Sequence, residues 1–194
     1  MSVPRPFKKR QEFYTASHGK QNCWRNCYTH IISALQLLSH YHCKTIVELG
    51  CNTGDLAVKC LENLAWEPTW TGYDISKYFI EKSVTHNRYH PVLLDAQLWN
   101  TDLPKFDIFV SSHTLEHLYP DEIKKLAVWL EKHTRFLVFC LPAAWSYSRV
   151  HHHHVNPKGI EWLRDLLLAT GFRLVFHTAH YFGWYAHNKE PLFR

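Results

Sequence analysis

The 194-residue chain is 46% hydrophobic and 15% aromatic, enough to bury the core of a compact globular domain. Its apolar runs are too short for a membrane span: RFLVFCLPAAW is broken by Pro142, and the basic start MSVPRPFKKRQEF lacks the apolar stretch of a secretory signal. The formal charge of +5 is only mildly basic, and no Arg-rich helix follows Arg5, Lys8, Lys9 and Arg10, so a solvated tail is the plainer reading and RNA contact the alternative.

The six cysteines, Cys23, Cys27, Cys43, Cys51, Cys60 and Cys140, lie mostly inside apolar patterns without secreted-scaffold spacing. Free thiols in a reducing, cytoplasmic compartment are expected. Cys23, Cys27 and His30 share a helical face, but no fourth ligand accompanies them, and they read as small apolar residues. One domain is expected over 1–194, with a basic flexible tail (1–12), an N-terminal helical cap (13–43) and a cofactor-binding core (44–194).

In chain order, CYTHIISALQLLSHY puts Ile31, Ile32, Leu35 and Leu38 on one helical face. KTIVELG is a continuous apolar run ending at glycine, as a strand covered on both faces would be. The next helix groups Leu56, Cys60, Leu61 and Leu64. TWTGYDIS is a second strand stopping at Asp74, after which Ser76 can cap a helix carrying Phe79, Ile80 and Val84. PVLLDA is a third strand and KFDIFVSSH a fourth. A helix from near Pro120 turns Ile123, Leu126, Ala127 and Leu130 inward, and RFLVFCLP is a fifth strand. Asn156 with Pro157 starts a helix that Gly171 stops. FRLVFHTAH and YFGWYAHN end the pattern as an adjacent, antiparallel pair, with Trp162, Trp184 and Tyr185 in the core or at its edge.

Strands alternating with helices predict an α/β fold: a doubly wound, mainly parallel sheet of about seven strands with helices on both faces. Ligands of such sheets bind beyond the carboxyl ends of the strands. The first turn departs from a dinucleotide fingerprint, with Gly50, Asn52 and Asp55 at the three glycine positions. Asn52 still permits the turn, because asparagine tolerates left-handed backbone angles. Asp55 and Glu48 would aim negative charge at a phosphate, which argues against NAD, FAD or ATP, and there is no P-loop. A cationic, phosphate-free nucleoside removes the conflict. Asp74, ending the second strand, can accept two ribose hydroxyls.

VELGCNTG resembles motif I of the class I S-adenosylmethionine-dependent methyltransferases, whose fold is Rossmann-like. GYDIS is similar to that family's second strand with its ribose-binding acid, and LDA to its third-strand segment near the adenine. FDIFVSSHTLEHL and HHHHVNPKGIEWLRDLLLATGFRLV resemble later elements of the small-molecule branch, so the match spans about residues 44 to 178 in order. The resemblance implies S-adenosylmethionine as cofactor, held by Glu48, Gly50, Cys51, Asn52, Thr53, Gly54, Asp74, Ile75, Asp95 and Ala96.

His113, Glu116 and His117 form H-x-x-E-H near the fourth strand end. If helical, that spacing gathers all three, with a histidine as general base and Glu116 orienting it. In its structural alternative the segment simply holds the loop. The same residues with one of His151 to His154 resemble, at a distance, the site of the small-RNA 3′-terminal 2′-O-methyltransferases. His113 stands there in place of a glutamate, which suits zinc better than magnesium. The histidine run reads more plainly as a polar loop over an acceptor pocket, with Trp145, Tyr147 and Arg149 able to stack on a flat acceptor. The expected activity is methyl transfer to O or N of a small molecule. The alternatives are an RNA 2′-O-methyltransferase and a catalytically idle subunit of a larger assembly.

Overall fold

The computed structural model describes residues 28–94, 97–141, 159–178 and 182–191. Among these residues the strands β1 (Thr45–Leu49), β2 (Thr69–Asp74), β3 (Tyr89–Leu93), β4 (Phe106–Ser112), β5 (Thr134–Cys140), β6 (Phe172–His177) and β7 (Phe182–His187) follow the order β3-β2-β1-β4-β5-β7-β6. Contacts divide the chain into two compact units, Met1–Asp102 and Leu103–Arg194.

In the first unit, helix α1 (Tyr28–Leu38) buries Ile31, Ala34, Leu35 and Leu38. Ala34 takes the place expected for Ile32, which is half-buried. Strand β1 (Thr45–Leu49) buries every residue after its first, as its unbroken apolar pattern requires. Helix α2 (Asp55–Asn63) buries Leu56, Ala57, Cys60 and Leu61. Strand β2 (Thr69–Asp74) runs parallel to β1 with Glu48 opposite Gly72, and ends at Asp74 as expected.

Helix α3 (Lys77–Glu81) is shorter than its apolar spacing predicts. Val84 lies beyond it, where its amide donates to the Thr53 carbonyl at 2.9 Å. A tertiary bond to the turn after β1 thus wins over another helical turn. Ser76 holds the N-cap position without a side-chain capping bond. Strand β3 (Tyr89–Leu93) begins two residues before the expected start and, among the described strands, pairs with β2 alone. Pro91, which cannot donate to a ladder, is tolerated on this edge.

In the second unit, β4 (Phe106–Ser112), helix α4 (Pro120–His133) and β5 (Thr134–Cys140) form a parallel crossover. Helix α4 buries the four expected residues and Trp129. Helix α5 is described from Ile160 to Ala169, so its expected Asn156–Pro157 start lies outside the described residues. Gly171 follows at φ 100°, a left-handed stop suited to glycine. Strands β6 (Phe172–His177) and β7 (Phe182–His187) pair antiparallel, and β7 pairs antiparallel with β5. Trp184 and Tyr185 are buried, while Trp162 is half-buried. Arg135 ties this unit's edge together, reaching Asp107 at 3.0 Å and both carboxylate oxygens of Glu190 at 2.9 and 3.0 Å. Among the described residues, no helix is long and apolar enough to cross a membrane.

Candidate active site

The turn after β1 owes its shape to three residues with positive φ: Gly50 at 80°, Asn52 at 58° and Gly54 at 85°. Each backbone amide from Gly50 to Gly54 is already used inside the protein. The amides of Gly50 and Cys51 donate to the Tyr73 carbonyl at 2.7 and 3.2 Å, and that of Gly54 to the Cys51 carbonyl at 2.9 Å. The Asn52 amide donates to Asp74 Oδ2 at 2.9 Å, and the Thr53 amide to Asn52 Oδ1 at 3.0 Å. A phosphate-binding turn instead leaves such amides pointing at the ligand.

The acids around the turn differ in what they meet. Glu48 is buried and its Oε2 accepts from Trp70 Nε1 at 2.9 Å. Asp55 opens α2 and its Oδ2 accepts the Thr53 hydroxyl at 2.8 Å. Asp74 Oδ1 accepts the Ser76 amide at 2.8 Å, and the Ile75 amide also bears on the group, so backbone donors fix the carboxylate. Burial raises the Asp74 pKa above the ordinary carboxylate value, and those donors oppose the shift. Ile75 follows in the bend before α3 and is half-buried. Asp95 and Ala96 lie outside the described residues.

Sequence reasoning missed Tyr89, which underlies the turn. A Cβ on Gly54 would come within 2.4 Å of its ring, and one on Gly72 within 2.8 Å of its hydroxyl and 2.6 Å of Cys51 Cβ. Glycine at both positions lets the tyrosine and thiol pack beneath the loop. The available signal was the aromatic at the head of β3, two residues before Pro91. Cys51 is itself buried, and burial first, then the charges of Glu48 and Asp74, push its thiol pKa well up.

In the second unit, H-x-x-E-H is not an α-helix. His113 follows β4 at φ 53°, and Leu115–His117 form a single 3₁₀ turn. Helical spacing is therefore replaced by a left-handed bend, which histidine tolerates better than most side chains. The bend brings His113 Nδ1 to 3.6 Å from Oε1 of buried Glu116. His117 sits on the same 3₁₀ turn, half-buried. Cys140 is a second residue the sequence reading did not single out. Its Sγ lies 3.9 Å from His113 Nε2, and its carbonyl accepts the His113 amide at 2.9 Å. The signal lay in strand register, since Cys140 pairs with Ser112, next to His113.

Among the described residues, no group of three or more His, Cys, Asp or Glu is placed to hold a metal ion. Trp145, Tyr147, Arg149 and His151 to His154 lie outside them, as do Cys23 and Cys27 of the other candidate cluster.

Residues 47–137 match a family model described as a methyltransferase domain. Over this stretch, just under half of the chain, the sequence is similar to a methyltransferase domain. The architecture agrees. The magnesium protoporphyrin IX methyltransferase of Synechocystis, solved with S-adenosylhomocysteine, superposes with TM-score 0.67 at 12% identity over 94% of this chain and 100% of that one. The N-methyltransferase NodS of Bradyrhizobium japonicum, also with S-adenosylhomocysteine, gives TM-score 0.68 at 16% identity over 94% and 99%. The methyltransferase domain of bacterial CtHen1-CN gives 0.62 at 15% identity over 82% and 96%. At such identities these methyltransferases establish a shared fold. No curated protein sequence matches the chain.

Proposed function

We propose that the methyltransferase moves a methyl group from S-adenosylmethionine to an O or N atom of a small-molecule acceptor. The observation that carries the cofactor assignment is the turn after β1, whose five consecutive amides are internally bonded and whose neighbours are carboxylates. It offers nothing to a phosphate and a negative field to a sulfonium and an amino group. S-adenosylhomocysteine in the Synechocystis and Bradyrhizobium structures supports the same ligand class. Glu48, buried against Trp70, acts through its charge, while Gly50 to Gly54 and Ile75 provide the wall. The ribose falls to Asp74, whose two oxygens offer about four lone-pair sites, more than its backbone donors use. Asp95 and Ala96 are assigned to the adenine on the family resemblance.

The cofactor supplies a methyl carbon already bearing a good leaving group, so alignment provides much of the rate. The acceptor's proton goes to His113, with Glu116 orienting the ring and His117 in reserve beside it. The small-molecule acceptor is preferred because the charge is modest and the Synechocystis and Bradyrhizobium relatives carry small-molecule or N-methyltransferase names. The buried thiols of Cys43, Cys51, Cys60 and Cys140 support a reducing compartment such as the cytoplasm.

Calorimetry with S-adenosylmethionine tests the site. Asp74→Ala removes two charge-assisted hydroxyl bonds and should weaken affinity roughly 100-fold, about 2.7 kcal/mol. Asp74→Asn separates ribose binding from loop support, since it keeps one acceptor oxygen. The pH response has a definite sign. The ligand's hydroxyls favour the ionised carboxylate, so affinity is full at neutral pH and falls as pH drops through the raised Asp74 value. The fall should begin above the range of an ordinary aspartate and should vanish in Asp74→Asn. Unchanged affinity in both variants removes the ribose assignment.

A further inference from the structure

Asn52 stands where a dinucleotide fingerprint has its second glycine, and it brings to the turn a side-chain amide that glycine lacks. The chain itself settles how that amide is oriented. A backbone N–H can only donate, so the side-chain atom 3.0 Å from the Thr53 amide is the oxygen, Oδ1. The nitrogen, Nδ2, is therefore the other arm of the group, with two hydrogens to give. Among the described residues it has no acceptor, and Asn52 is half-buried rather than sunk in the core. Every other donor of the turn is in use. The five backbone amides from Gly50 to Gly54 bond inside the protein, and the Thr53 hydroxyl donates to Asp55 Oδ2 at 2.8 Å. Cys51 is buried, with its thiol facing the Asn52 carbonyl at 3.7 Å. The carboxylate neighbours of the turn are Glu48, Asp55 and Asp74, the last bonded to the Asn52 amide at 2.9 Å.

This arrangement suits the sulfonium and the ammonium of S-adenosylmethionine but not the whole molecule. The carbon that bears the amino group also bears a carboxylate. Beside the protein's own carboxylates that group is repelled unless a donor meets it. We propose that Asn52 Nδ2 is the donor that receives the cofactor's carboxylate, making Asn52 a specificity residue for the amino-acid tail. Asn52 is tied through its backbone to Asp74, so it adjoins the ribose from which that tail extends. One neutral amide cannot offset Glu48, Asp55 and Asp74 for a pyrophosphate. It suffices for a single carboxylate whose own ammonium lies beside it. The inference rests on the cofactor reading above and deepens it: the departure from glycine that admits an amino-acid tail also recognises it. A ligand with the same nucleoside, sulfur and amino group but no carboxylate forfeits the Nδ2 bond, so the site distinguishes the two.

The test is calorimetry on the full chain with two probes. One is S-adenosylhomocysteine, and the other is the aminopropyl thioether of adenosine, which differs from it by the missing carboxylate alone. The wild type should bind S-adenosylhomocysteine roughly 10- to 100-fold more tightly than the thioether, as a hydrogen bond to a charged group implies. Asn52→Gly removes the amide and tolerates the left-handed backbone. In it that preference should vanish, with affinity for the thioether unchanged. Asn52→Asp keeps an oxygen for the Thr53 amide but replaces the donor with an anion. It should reverse the preference, since the new carboxylate repels that of S-adenosylhomocysteine and attracts the ammonium of the thioether. Thermal melts without ligand establish that each variant is folded. A wild type without the preference overturns the proposal, and so does a preference that survives in Asn52→Gly. Equal weakening of both probes in Asn52→Gly also overturns it, because Asn52 would then act through the shape of the turn. In those cases the cofactor reading stands. A wild type that binds neither probe removes the cofactor reading, and this inference with it.

Discussion

Asn52 has the conformation of a glycine without being one. Its φ of 58° lies in the left-handed region, and its Oδ1 accepts the following amide at 3.0 Å. The side chain thus repays some of the backbone cost through a local bond that alanine cannot make. Asn52→Gly loses the bond and the strain together and should stay close to wild type in stability. Asn52→Ala keeps the strain and loses the bond, costing about 1–2 kcal/mol. Gly54→Ala should cost more, because its Cβ would meet the Tyr89 ring at 2.4 Å as well as the positive φ. Urea melts followed by circular dichroism rank the three, and equal stability of Asn52→Ala and Asn52→Gly would contradict the account. The asparagine's tolerance was legible from residue type alone. The left-handed His113 was not, because H-x-x-E-H carries the same three- and four-residue spacing as a helical face, and only the strand end before it dictates the bend.

At the scale of elements, β1 and β2 are joined by more than their parallel ladder. Glu48 Oε2 and Trp70 Nε1 pair at 2.9 Å with both residues buried, at 1% and 0% exposure. Trp70→Phe leaves that oxygen short of a donor in a place water does not reach, and should cost about 1–3 kcal/mol. Glu48→Met alone orphans the indole N–H, while the double variant removes both ends of this bond. Its loss should therefore be smaller than the sum of the single losses, by roughly 1–2 kcal/mol in a double-mutant cycle. Strict additivity would mean the bond contributes nothing. Elements of this kind were readable where one pattern dominates, as in the apolar run of β1 or the periodicity of α4. They were misjudged where a distant partner intervenes. Helix α3 ends early because Val84 bonds to Thr53, and no window of sequence around Val84 contains that carbonyl.

At the scale of the whole molecule, we propose that the chain unfolds as one domain although its contacts fall into two units. Among the described residues all seven strands belong to one sheet, so each unit alone would own part of it. Buried thiols report on both sides. Cys43, Cys51 and Cys60 are 3%, 2% and 0% exposed in the first unit, and Cys140 is 0% exposed in the second. A thiol reacts with an alkylating agent as the thiolate and only when reached, so burial protects all four, and Cys51 is doubly protected by its raised pKa. Pulse alkylation across a urea series, with each cysteine quantified by mass spectrometry, should show all four losing protection at a common midpoint. S-adenosylmethionine should move that midpoint upward for all four together, because ligand bound only to the native state stabilises whatever unfolds with its site. Protection of Cys140 lost at lower urea than that of Cys51 and Cys60, and untouched by the ligand, would show that the units melt separately. The cofactor half would then be a folding unit of its own.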